Sequence, residues 1–97
     1  MPIRLPQDIT RLRAECARRF RDRPLVESAI GEILRCIDEE VWADEQGVPA
    51  ATVDLLNKEI SPALDSVFEA PSETRLRTAV DNLVVVWRRI QPLIELA

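Results

Sequence analysis

Carboxylates are the reactive groups this chain has in quantity. Asp and Glu number 17, and eleven of them fall between residues 24 and 71, where only Arg35 and Lys58 oppose them. Paired acids on facing helices can hold Mg²⁺ for phosphohydrolase chemistry, and Glu32, Glu39 and Glu40 with Asp54 or Asp65 form the set to weigh. Histidine and tyrosine are absent. That removes Ser-His and Cys-His nucleophile systems, histidine metal ligands and the Glu-x-x-His pairs of di-iron bundles. Walker, dinucleotide and calcium-loop patterns are missing as well. At about 100° per residue, Glu32 and Glu39 fall roughly 120° or more from the apolar stripe of their helix, and Asp65 is off its own stripe. These acids read as surface, so the expectation is no enzyme, no metal and no cofactor.

The two thiols, Cys16 and Cys36, are the other nucleophiles. They lie about eight residues before and about twelve after the turn at Pro24. A rise of roughly 1.5 Å per residue offsets them by about 6 Å along the helix axis, too far for a relaxed disulfide. Two reduced core thiols are expected, in keeping with a cytoplasmic chain. The N-terminus runs through Arg4 without an apolar signal core, and no stretch reaches the roughly 18 apolar residues of a membrane span.

The elements that must position these groups are helical. A first helix from about Gln7 to Asp22 carries Ile9, Leu12, Cys16 and Phe20 on one stripe, and Arg23-Pro24 turns the chain. A second runs from about Leu25 to Gln46 through Val26, Ile30, Ile33, Ile37 and Val41. Gly31 inside it costs about 1 kcal/mol relative to Ala and suggests a close helix crossing. Gly47-Val48-Pro49 ends it. A third, from about Ala50 to Glu69, keeps its stripe in phase through Val53, Leu56, Ile60, Leu64 and Val67 despite Ser61-Pro62. Either one helix bends there or Ser61 caps a new one; the unbroken phase favours the bend. Ser72 or Thr74 caps a fourth helix to about Ile94, with Leu76, Val80, Leu83, Trp87, Ile90 and Ile94 inward and Pro92 bending or fraying its last turn. The expected fold is all-α, an antiparallel up-down four-helix bundle with its third helix kinked or split at Pro62, forming a single helical domain over residues 1–97.

With catalysis set aside, the charge map suggests contacts with another macromolecule. Residues 1–23 hold seven Arg against three acids, the reverse of the acidic middle. Arg11 and Arg18 share a helix face and could meet phosphates, so nucleic-acid binding is one alternative; the remaining arginines scatter and no aromatic interleaves. Pairing between the first helix and the acidic second accounts for them equally well.

The sharper signal is Trp42. It lies roughly 140° off the second helix's apolar stripe and is ringed by Asp38, Glu39, Asp44 and Glu45. A tryptophan among polar residues has the composition of an interface anchor; equally, Trp42 could fold back under the Gly47-Val48-Pro49 connector. Val85 is out of register too, opposite the core stripe of the fourth helix and flanked by Asp81, Arg88 and Arg89; it is either an ordinary exposed valine or part of a homodimer seam. The function expected is a small protein-interaction module, an inhibitor, immunity-type factor or adaptor, binding a basic protein through its acidic surface. A Mg²⁺-dependent phosphohydrolase is the other alternative.

Overall fold

The computed structural model describes residues 3–5, 7–41 and 48–96. Every regular element among them is helical, so the all-α, four-helix reading holds. Chain contacts separate two compact units, Pro6–Val48 on one side and Met1–Leu5 with Pro49–Ala97 on the other.

The Pro6–Val48 unit is a helical hairpin. Helix α1 (Ile9–Arg19) buries Ile9, Leu12 and Cys16, and Phe20 closes its stripe. Arg18 and Arg19 occupy its last turn, where positive charge suits the helix dipole. The Arg23 N–H then donates to the Phe20 carbonyl at 3.0 Å, making a tight turn. Pro24 opens helix α2 (Pro24–Cys36) at its first turn, where a missing N–H costs nothing. Ile30, Ile33, Leu34 and Ile37 fill the interior. Both cysteines are buried thiols outside any disulfide. Beyond Cys36 the helix widens into a π-turn, Ile37–Val41.

Gly31 does not mark a close crossing. A Cβ built there meets nothing within 4 Å. The residue opens a groove rather than admitting a neighbouring backbone.

The second unit begins with a short strap, residues 3–5. Apolar and polar residues alternate in Ile3-Arg4-Leu5, and the two apolar ones are buried while Arg4 is exposed. Asn57 fastens the strap by pairing with both backbone groups of Leu5, and the Ile3 N–H reaches Asp65 Oδ2 at 3.5 Å.

The third helical segment is α3 (Ala50–Leu55), a π-turn (Leu56–Ile60) and α4 (Ser61–Phe68) in one continuous run. Pro62 has no N–H for the Lys58 carbonyl, and its ring would press on that oxygen in a straight helix. The π-turn relieves this. The Ser61 N–H reaches back five residues to the Leu56 carbonyl. Ser61 itself is helical at φ −57°, ψ −45°, and its hydroxyl lies 3.2 Å from Asn57 Oδ1. It is therefore not an N-cap, and the segment is one helix interrupted by a wider turn. The apolar phase survives because Leu56, Ile60, Leu64 and Val67 all remain buried.

Ser72 caps helix α5 (Glu73–Leu96), its hydroxyl accepting the Arg75 N–H at 3.2 Å. Leu76, Leu83, Trp87 and Ile90 face inward. The helix continues through Pro92 to Leu96 rather than fraying there. Pro92 is on the exposed side, where water can satisfy the carbonyl its ring leaves without a donor.

Candidate interaction surface

The end of the second helix carries the acidic residues singled out in the sequence. Ile37, first in the π-turn, is fully buried and anchors it to the hairpin. The next two residues, Asp38 and Glu39, emerge on the polar side. Arg13 of α1 comes within 2.6 Å of Asp38 Oδ2 and 3.9 Å of Glu39 Oε1. Arg35 meets Glu39 Oε2 at 3.1 Å and Glu32 Oε1 at 3.5 Å. The result is one chain of alternating charge, Asp38–Arg13–Glu39–Arg35–Glu32. The Glu39 hydrogen bond raises the proton affinity of the Arg35 guanidinium above its ordinary value. Three carboxylates against two guanidinium groups leave one net negative charge. Trp42, Asp44 and Glu45 lie outside the described residues, as does the side chain of Glu40.

Next to this chain the hairpin has a groove of about 370 Å³ lined by Arg13, Cys16, Gly31, Glu32 and Arg35 among others. Its thiol is not poised for chemistry. Burial, with the charge of Glu27 second, pushes Cys16 up to about 11, and its Sγ lies 3.8 Å from the Glu27 carbonyl. A thiol so placed is neutral at physiological pH and a poor nucleophile.

The described members of the Mg²⁺ set each have other surroundings. Glu32 and Glu39 bind Arg35, Asp65 accepts the Ile3 N–H, and Asp54 stands exposed on α3. Among the described residues no group of three or more His, Cys, Asp or Glu side chains could hold an ion. Among them, too, no helix is long and apolar enough to cross a membrane.

The two arginines of the nucleic-acid alternative are exposed, and each has an acid one turn away. Arg11 lies 3.4 Å from Asp8 and Arg18 2.8 Å from Glu15. The Arg18 hydrogen bond holds the Glu15 carboxyl below its usual range.

On α5, Val85 is 64 % exposed, the outlier its register implied. Asp81 and Arg88 are exposed beside it. Arg89 turns away to Glu59, at 2.8 Å. Leu93, further along α5, and Leu25 at the start of α2 are separate exposed leucines.

Two features escaped the sequence reading. One is the fastening role of Asn57, for which the Ile3-Arg4-Leu5 alternation was the available signal. The other is the selection of Arg13, among seven N-terminal arginines, as the one that joins α1 to the π-turn. No family model, no curated protein and no solved structure matches this chain.

Proposed function

We propose that this protein is a small helical interaction module that binds a basic protein partner through the end of its second helix. In this reading residues 1–97 act as a single domain in the cytoplasm, and no catalysis, metal or cofactor is involved. Trp42 supplies the buried anchor. Glu39, Asp44 and Glu45 supply the field that draws a cationic surface, and Asp38 holds the turn through Arg13. Inhibitors, immunity-type factors and adaptors all work in this way, by covering a surface rather than by chemistry.

The observation that carries this reading is the five-residue charge chain. A π-turn is a non-standard piece of helix, and such turns concentrate at functional sites. Here the turn ends at Val41, the residue before Trp42 in sequence, and its first residues are tied to both helices of the hairpin. Fixing that backbone before binding lowers the ordering cost of association. The chain also retains negative charge after internal pairing, which favours a basic partner and raises the association rate at low salt.

The test is affinity capture with the wild-type protein and Trp42→Ala, compared at equal folded fraction by circular dichroism. The wild type is expected to retain a basic protein that the variant loses, with recovery falling as salt rises. Equal recovery by both proteins overturns the assignment of Trp42. Saturable Mg²⁺ or Mn²⁺ binding by calorimetry would favour the hydrolase alternative instead. A low-salt oligonucleotide shift abolished by charge reversal at Arg11 and Arg18 would favour nucleic acid.

A further inference from the structure

We propose that the outer face of α5 pairs antiparallel with the same face of a second copy of this chain. The argument rests on the symmetry of its charges about Val85. Taking about 100° per residue and Val85 as the outermost point, Asp81 and Arg88 fall on the same flank, within roughly 20° of each other. One is four residues before Val85 and the other three after it. Two antiparallel helices related by a two-fold axis bring like flanks together, as in any isologous interface. With that axis at Val85, Asp81 of each copy comes opposite Arg88 of the other.

The pairing is reciprocal, so one face supplies two opposite-charge contacts and neither end is left with like charges opposed. At about 1.5 Å per residue the two contacts lie roughly 10 Å apart, bracketing the valines. Both side chains are available for it. Asp81 and Arg88 are exposed and have no ion pair among the described residues, whereas Arg89 is already engaged by Glu59. Helix α5 has 24 residues, long enough for the whole pattern to lie on one element.

One valine per copy is a small apolar centre, so the dimer is weak and charge sets its register. Specific interfaces of this kind sit at the small end of the size range. Exposed ion pairs are screened by salt, and the dimer should weaken as salt is raised.

Sedimentation of the full chain at low salt tests this directly. The wild type is expected to self-associate reversibly. Asp81→Arg alone places two arginines opposite each other at both contacts, and Arg88→Asp alone opposes two aspartates. Each should weaken association roughly ten-fold or more, since two modest attractions become two repulsions. An equimolar mixture of the two variants should recover wild-type association as a heterodimer, because every reversed charge then meets its complement. Val85→Glu should abolish the dimer with an unchanged circular dichroism spectrum. A wild type that stays monomeric at all concentrations overturns the proposal. Single reversals that leave association intact do so too, as does a mixture no tighter than its components.

Discussion

Leu5 and Asn57, 52 residues apart in sequence, pair through both polar groups of the Leu5 backbone. The Leu5 N–H donates to Asn57 Oδ1 at 2.8 Å, and Asn57 Nδ2 donates to the Leu5 carbonyl at 2.8 Å. The same amide also donates to the Val53 carbonyl at 3.0 Å and lies 3.2 Å from the Ser61 hydroxyl. One side chain thus holds the N-terminal strap against the third helix and spans the π-turn that accommodates Pro62. A strap of three residues has no ladder or helix of its own, so its backbone groups need such a partner once Ile3 and Leu5 are buried.

Replacing that amide should therefore loosen the strap first. Asn57→Ala removes all four contacts and leaves the Leu5 N–H and carbonyl without protein partners. The expected loss of stability is about 2–3 kcal/mol in urea denaturation, since water reaches a half-buried site and recovers part of the cost. Hydrogen exchange at the Leu5 amide separates this from a general weakening. It should lose protection entirely while amides in the middle of α5 slow or quicken only with global stability. Retained protection at Leu5 would show that Asn57 is not the fastener.

Helix content and inward faces were legible because each stripe repeats every three or four residues. Ile30, Ile33 and Ile37, or Leu76, Leu83 and Ile90, leave no competing period. The π-turns were not legible. A single extra residue in a helical turn shifts the phase too little to be seen when the stripe resumes at Leu64, and only the proline hinted at a disturbance. Gly31 misled for a related reason. Its absent side chain is compatible with a close neighbour or with open space, and only the three-dimensional arrangement distinguishes them. The charge map located acids and arginines by segment. It could not say that Arg13 and Arg35, rather than a partner, would be the nearest positive charges to Asp38 and Glu39.

The open space beside Gly31 makes that residue a stabilisation site. It lies inside α2, where Gly is roughly 1 kcal/mol less favourable than Ala. With nothing within 4 Å of a new Cβ, no clash offsets the gain. Gly31→Ala should raise stability by about 0.5–1 kcal/mol and raise the thermal midpoint by a few degrees. A lower midpoint would mean that the groove closes on α2 in solution.

Cys16 should make the protein sensitive to alkali. The fold prefers the neutral thiol, raising its pKa from 9.0 to about 11. The unfolded chain therefore releases this proton first as pH rises. The thiol's contribution to stability is complete below about pH 9 and is lost progressively as pH climbs toward 11. Tyrosine is absent and Lys58 is the single lysine, so a Cys36→Ala background, which removes the other buried thiol, isolates the effect of Cys16. Urea midpoints measured from pH 8 to pH 11 should fall, and the slope should flatten in Cys16→Ala. The same burial should make Cys16 resist alkylation at pH 8 unless urea is added. Rapid modification of the native protein would show the thiol to be accessible.

The pair between Arg13 and Asp38 should couple α1 to the π-turn measurably but modestly. Their side chains are 38 % and 33 % exposed, so solvent screens a contact that is short at 2.6 Å. A double-mutant cycle with Arg13→Ala and Asp38→Ala should give a coupling of about 0.5–1 kcal/mol, shrinking as salt is added. Arg13→Ala should cost more than Asp38→Ala, because Arg13 also approaches Glu39 and its loss removes a positive charge from beside two acids. If the pair fixes the turn ahead of Trp42, amide exchange over residues 37–41 should quicken in Arg13→Ala beyond the change in global stability. A cycle with zero coupling and unchanged exchange would make the contact a passive surface pair. It would also remove the preorganisation on which the proposed binding surface depends.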